Sequence, residues 1–317
     1  MNSPAWLRAD LMRVEDLLLE AAGDSLNSLV SDASTHLIRA GGKRIRPALV
    51  MLSSRSGGPG RATDLSAAAI ELVHLATLYH DDVIDETETR RGVPTVHSKW
   101  GIEIAVLAGD FLFARGCTLG AEAGGEVPGI LARAIAEVCQ GQIIETMTIG
   151  DPRRSVDEYL GTIERKTAAL FRAACELGTA TAGSTPEDRS ALMTYGHKLG
   201  LAFQIVDDLL DLVGDPAETG KIPGTDLREG VFTMPVLLAC ERDGSLAERL
   251  AGGDRELNTV LPKLEATRAL ESTYQTAAGL AEDAIGALRS IPDSEWRAHL
   301  EYLIESVLAQ IPKEAVA

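Results

Sequence analysis

The chain has 317 residues, 45% of them hydrophobic and only 4% aromatic, with a formal net charge of -17. That is ample apolar material for a large core. The acidic balance excludes a nucleic-acid partner, which requires a basic footprint.

Nearly every long segment repeats its apolar residues with helical period. Ser3-Pro4 opens a helix over 4–22, with proline at its first position. Residues 1–20 carry charges throughout and lack the apolar core of a signal peptide. A helix over 25–40 runs up to Gly41-Gly42, and a short apolar helix spans 46–56. Gly57-Gly58-Pro59-Gly60 marks a loop. Thr63 or Asp64 then caps a helix running to about Glu88. Helices over 102–122 and 128–148 are separated by Gly124-Gly125, and helices over 155–183 and 186–213 follow. Residues 214–235 are polar and glycine-rich, in the manner of a lid loop. Helices over 234–242, 245–251, 256–289 and 293–310 complete the chain. There is no alternating strand pattern and no low-complexity linker, so the expectation is a single all-α domain over 1–317. Cys117, Cys139, Cys175 and Cys240 show no metal or redox spacing and are read as buried small hydrophobes. No apolar run reaches the length of a membrane span. A soluble cytoplasmic protein is expected.

Two clusters of the same form interrupt apolar helical runs: Asp81-Asp82-Val83-Ile84-Asp85 and Asp207-Asp208-Leu209-Leu210-Asp211. Residues four apart share a helix face, about 6 Å apart along the axis. Asp81 therefore stacks on Asp85, and Asp207 on Asp211. Such like charges destabilise a bare helix. Hard divalent cations relieve that cost, because Mg²⁺ takes carboxylate and phosphate oxygens. The clusters read as two halves of a metal–diphosphate clamp. On the first helix His74, Thr77 or Leu78, Asp81, Asp85 and Glu88 form one stripe. On the second, Gln204, Asp207 or Asp208, Asp211 and Asp215 form another.

Basic residues accompany both clusters. Arg90-Arg91-Gly92 follow the first, where they suit either a helix C-terminus or diphosphate oxygens. Lys221 and Arg228 lie in the loop after the second. Gly41-Gly42-Lys43-Arg44-Ile45-Arg46-Pro47 could admit an anion to its backbone, with Lys43 and Arg46 supplying charge, or could be an ordinary glycine cap with basic neighbours. Lys166-Thr167 lies mid-helix and on spacing alone is a solvated face. His74, His80, His97 and His197 read by themselves as satisfied core histidines.

With these segments in view, the chain resembles the trans-polyprenyl diphosphate synthase family over nearly its whole length. The resemblance rests on GGKRIRP at 41–47, HDDVIDETETRRG at 80–92, and Gly109-Asp110-Phe111-Leu112. It rests equally on Lys166-Thr167, and on FQIVDDLLD at 203–211 followed by Gly220-Lys221. It implies an all-α isoprenoid-synthase helical bundle around a deep central cavity, usually a homodimer. It also implies Mg²⁺ as cofactor, with Asp81, Asp85, Asp207 and Asp211 as metal ligands and Asp82 and Asp208 beside them. Arg90, Lys166, Thr167, Gln204 and Lys221 match positions that contact an allylic diphosphate, Lys166 being counted with the aspartates as catalytic. Lys43, Arg46, His74 and Arg91 match positions that hold isopentenyl diphosphate.

One segment departs from the family. Gly230-Val231-Phe232-Thr233-Met234-Pro235 carries valine where a lysine is common, so that lysine's role is missing or supplied elsewhere, Arg228 being one candidate. Ala76 and Thr77, one turn before Asp81, sit where aromatic residues block growth at a short product. Their small size predicts an open tunnel and a long-chain product, C30 to C50, of the kind used for quinone side chains, with C20 as the nearest rival. Ile104, Leu107, Ala108 and Phe111 of the next helix are further candidate wall residues. A terpene cyclase would carry a different second metal motif, and a non-catalytic partner subunit would lose an aspartate motif. Both motifs are intact here.

Overall fold

Helices make up nearly all of the computed structural model, which describes residues 4–215 and 222–312. The packing divides the chain into two compact units, Met1–Ile135 with Ala173–Met193, and Ala136–Arg172 with Thr194–Ala317. The divisions fall inside α7 (Val127–Thr148), α9 (Ala169–Ala182) and α10 (Pro186–Val213).

The first unit is built on α4 (Arg61–Ile84). Helices α1 (Ala5–Gly23), α3 (Ile45–Ser53) and α6 (Ile102–Ala123) pack on it. Helix α2 (Ser28–Arg39) packs on α1 and α6, and the short α5 (Val96–Trp100) abuts α6. The run Ala67-Ala68-Ala69 on α4 is fully buried, as are Ile70, Leu72, Val73 and Leu75. On α6 the buried positions are Ala105, Ala108, Gly109, Leu112, Gly116, Leu119 and Gly120. They recur at helical spacing and are mostly small, so the two backbones approach closely.

Helix α4 starts at Arg61, earlier than the sequence suggests. Thr63 is not its cap; its Oγ1 accepts the Gly60 N–H at 3.1 Å. The helix also stops earlier, at Ile84, where the Asp85 N–H still reaches the Asp81 carbonyl at 2.8 Å. Glu86 then turns left-handed at φ 51°. Acidic residues oppose the negative end of a helix dipole, so a run of Asp81, Asp82, Asp85 and Glu86 ends the helix. Glu88 therefore lies off the stripe. The chain continues as a two-residue antiparallel hairpin, β1 (Thr89–Arg90) and β2 (Val93–Pro94). Its turn holds Arg91 at φ 54° and Gly92 at φ 76°. Positive φ at both central residues is the turn that matches strand twist, and glycine at the second is its usual solution.

In the second unit α12 (Met234–Arg242) is central. It packs on α8 (Val156–Ile163), α13 (Gly244–Ala251), α14 (Leu257–Ala266) and α15 (Ala269–Ala287); α16 (Glu295–Leu308) packs on α15. The expected helix over 256–289 is two helices, broken where Arg268 takes φ 54°. Arg242 Nη1 donates to the Thr267 carbonyl at 2.7 Å and so satisfies a group the break exposes. The expected loop at 214–235 contains a short helix, α11 (Thr225–Glu229). The expected helix over 155–183 is interrupted by a π-helical turn, Glu164–Ala168, between α8 and α9.

Two expectations need correction. Cys175 and Cys240 are buried, but Cys117 and Cys139 are exposed, because they lie on outward faces of α6 and α7. One helix, α6, is long and apolar enough by length and composition to cross a membrane. Its apolar residues lie on both sides: Ala105, Ala108, Leu112 and Leu119 are buried, and Ile102, Val106 and Leu107 are exposed.

Candidate active site

In the first unit, residues 70–82 of α4 are buried except at His74, Thr77, Leu78, His80 and Asp81. Four of these five are the stripe read from the sequence. The fifth, His80, has Nε2 3.2 Å from the Val106 carbonyl and 3.4 Å from Asp110, so it belongs to the α4–α6 packing. Asp81 is partly accessible and Asp85 is exposed. Asp82 is buried, and Arg90 Nε donates to its Oδ1 at 2.5 Å. Burial pushes the Asp82 carboxyl upward in spite of that arginine.

Cations crowd the same side of this unit. Burial lowers Arg46 to about 10, with Arg91 adding repulsion and Glu71 opposing it. Arg91 is likewise lowered by burial; its Nη1 donates to the Leu37 carbonyl at 3.0 Å and to the Gly41 carbonyl. His74 is held well below its ordinary value by burial and then by Arg46, Arg91, Arg90 and Arg44, so its imidazole is neutral. The structure therefore brings Arg46, His74, Arg90 and Arg91 together, while Lys43 is exposed on the adjoining loop.

Sequence reasoning missed what holds this cluster. Arg44 adopts a left-handed conformation at φ 48°. Its guanidinium forks onto Glu15 with two bonds of 2.8 Å and reaches buried Glu71 at 3.1 Å. Glu71 lies one turn before His74, and that spacing was its only signal.

In the second unit Lys166 and Thr167 sit within the π turn. Such turns concentrate at functional sites. Lys166 Nζ pairs with Glu145. A Cβ at Gly141 would lie 2.4 Å from the Lys166 backbone nitrogen, so only glycine lets α7 pass this turn. Thr167 Oγ1 donates to Gln204 Oε1 at 2.7 Å, and Gln204 Nε2 donates to Asp208 Oδ1 at 2.8 Å. Tyr159, which no motif flagged, donates its hydroxyl to Asp208 Oδ2. Burial raises Asp208 to about 7, although both donors favour its charged form. Asp211 accepts the Thr225 N–H at 3.2 Å and the Asp226 N–H at 3.3 Å, which fastens α11 to α10. Asp207 is partly accessible. Lys221 lies outside the described residues.

The Polyprenyl synthetase family model matches residues 27–261. The chain belongs to the polyprenyl synthetase family. It is 37% identical to a nonaprenyl diphosphate synthase of Mycobacterium tuberculosis, over 96% of this chain and 94% of that protein. The crystal structure of a decaprenyl diphosphate synthase from Rhodobacter capsulatus superposes with a TM-score of 0.91 at 38% identity, covering 97% of this chain and 98% of that one. A polyprenyl synthase from Caulobacter crescentus complexed with calcium and isoprenyl diphosphate gives 0.90 at 37%, covering 96% and 95%. As a polyprenyl synthetase the chain is a prenyltransferase with the all-α isoprenoid-synthase fold.

Of the six aspartates in the two clusters, three are withdrawn: Asp82 is 1% exposed, Asp208 3% and Asp211 6%. Asp81, Asp85 and Asp207 keep accessible carboxylates. An all-oxygen donor set suits Mg²⁺ or Ca²⁺. Among the described residues no group of three or more His, Cys, Asp or Glu side chains is gathered to hold a metal. The Asp82 Oδ2 atom is buried with no hydrogen-bond partner among the described residues.

Arg228, the candidate for the family's missing lysine, is exposed. That guanidinium donates to the Pro223 carbonyl at 2.8 Å and to Thr225 Oγ1 at 3.1 Å, closing its own turn. Phe232, next to Val231, is buried beneath the Arg255 guanidinium at 5.5 Å.

Proposed function

We propose that the chain elongates an allylic prenyl diphosphate by head-to-tail condensation with isopentenyl diphosphate, releasing pyrophosphate. The observation that carries this reading is the cluster of Arg46, His74 and Arg91 beside the first aspartate helix. A second diphosphate needs such a cluster, and a terpene cyclase has no use for it.

Asp81 and Asp85 of the first motif and Asp207 of the second would hold Mg²⁺, with Asp211 next in line. When bound, Mg²⁺ supplies Lewis-acid stabilisation of the departing diphosphate. Arg90, Lys166, Thr167, Gln204 and Lys221 bind the allylic diphosphate and stabilise charge that grows as the C–O bond breaks. Lys43, Arg46, His74 and Arg91 orient isopentenyl diphosphate, whose double bond attacks the allylic cation. His74 enters as a neutral donor rather than a base. The released pyrophosphate takes the final proton. The loop after Asp211 is the candidate lid that keeps water from the cation.

We further propose a long-chain product, C30 to C50, for quinone side chains. Nonaprenyl and decaprenyl synthases at 37% and 38% identity support it over a C20 product. Small side chains at Ala76 and Thr77 support it as well. Ala76 has no accessible surface, so Thr77 is the one of the pair that meets open space. The chain works as a single catalytic domain, supported by one family match that runs through parts of both units. A homodimer in the cytoplasm fits the exposed apolar side of α6, which a second copy would cover.

The test is a product assay. The protein is given Mg²⁺, isopentenyl diphosphate and a C10, C15 or C20 allylic primer, and product mass is read. Products of C30 to C50 are expected. Accumulation at C20 would overturn the chain-length reading, and cyclic hydrocarbon would overturn elongation.

A further inference from the structure

Tyr159 lies outside every motif of the sequence, yet its hydroxyl is bonded to the middle aspartate of the second cluster. We propose that Tyr159 is a positioning residue for the allylic substrate: it fixes the Asp208 carboxylate, which orients Gln204 and, through Gln204, Thr167. The role rests on the elongation reaction proposed above.

The network has one direction. Both oxygens of the Asp208 carboxyl group act as acceptors. Tyr159 donates to its Oδ2 and Gln204 Nε2 to its Oδ1. With Nε2 turned to Asp208, Gln204 Oε1 faces Thr167, whose Oγ1 donates to it. Gln204 keeps its second amide hydrogen, and that is the donor this network leaves for a diphosphate oxygen. Removing the Tyr159 hydroxyl leaves one oxygen of a buried carboxylate without its donor, and the carboxylate is then free to turn away from Gln204.

The π turn makes the arrangement possible. Tyr159 and Thr167 are eight residues apart, and a continuous α-helix would set them about 80° apart around its axis. A π turn absorbs one residue. The two side chains are then separated by the equivalent of seven α-helical steps, within about 20° of one face. They meet Gln204 and Asp208, which are four apart and share a face of α10. The start of α8 is held as well. Arg154, itself buried, donates to the Glu158 carbonyl at 3.0 Å and to Thr162 Oγ1. Tyr159 is 3% exposed, so no bulk water competes for its hydroxyl.

The test is steady-state kinetics of Tyr159→Phe with farnesyl diphosphate, isopentenyl diphosphate and a Mg²⁺ titration, beside melting temperatures. The KM for farnesyl diphosphate should rise about tenfold, the loss expected from one charge-assisted hydrogen bond. The KM for isopentenyl diphosphate should stay within about twofold, which is negligible on the same scale. Asp208→Asn tests the link from its other end and keeps the test valid if Tyr159→Phe folds poorly. It should reproduce the farnesyl shift, and the double variant should be no worse than the worse single. An active wild type with an unchanged farnesyl KM in Tyr159→Phe overturns the role. So does an equal rise in both KM values, or additivity with Asp208→Asn, because each marks a general structural effect. A wild type without Mg²⁺-dependent elongation overturns the underlying reading and this role with it.

Discussion

Around His74 in the first unit, Arg44, Arg46, Arg90 and Arg91 crowd together, with Glu15 and Glu71 on Arg44 and Asp82 on Arg90. Around Asp208 in the second unit a buried carboxylate is met by a phenol and an amide. The first arrangement packs like charges together, a setting that suits an anion. The second is satisfied within the protein and fixes direction instead. On the proposed function, binding by charge falls to the first unit and binding by orientation to the second. That division explains why Arg46 and His74 are shifted downward by burial among cations, while Asp208 is shifted upward by burial among neutral donors.

The largest expected effect is at the proposed metal ligands. Asp81→Asn or Asp207→Asn should lower turnover on the order of a hundredfold to a thousandfold, with melting temperature nearly unchanged. Near-normal turnover in either would remove the metal clamp from the account. Glu71→Gln comes next and sharpens the contrast. It removes the acid that Arg44 pairs with in the interior, and should destabilise the fold by ~3–5 kcal/mol, read by denaturant unfolding. A loss below about 1 kcal/mol, the value of an exposed pair, would mean that the arginines are not electrostatically crowded.

Thr77→Phe should leave the first condensations intact and shift product mass to shorter chains. An unchanged distribution would place the length limit elsewhere. Ala76→Phe is a poorer probe, because Ala76 is fully buried and the larger ring would have to displace its neighbours.

The smallest effect is on pH. His74 is neutral in the folded state, with its pKa held well below the ordinary value by burial and by the surrounding arginines. The unfolded chain binds a proton there as pH falls through about 6.5, whereas the folded chain does not. Stability from this group is therefore present above that pH and lost below it. His74→Gln should lose less stability between pH 7 and pH 5 than the parent, measured by urea unfolding. Identical acid arms would show that His74 is not kept neutral.

Most helices were legible because their apolar residues repeat at 3.6 and the breaks carry Gly, Pro or Ser. The exceptions have local causes. The end of α4 moved because acidic residues oppose the helix dipole, and α14 and α15 separated because Arg268 turns left-handed, which composition does not announce. The π turn was invisible, since one inserted residue leaves the apolar pattern nearly intact. Within the site, the stripe through His74, Thr77 and Asp81 followed directly from helical spacing. Arg44, Glu71, Glu145 and Tyr159 did not. They act on other protein groups rather than on substrate, and their partners are distant in sequence: Arg44 reaches back to Glu15, and Tyr159 forward to Asp208.

The division of labour is tested most directly by measuring both KM values in two variants, Arg46→Gln and Thr167→Val. The account predicts that Arg46→Gln raises the KM for isopentenyl diphosphate and spares that for farnesyl diphosphate, and that Thr167→Val does the reverse. Both variants weakening the same substrate, or each weakening both alike, would contradict it.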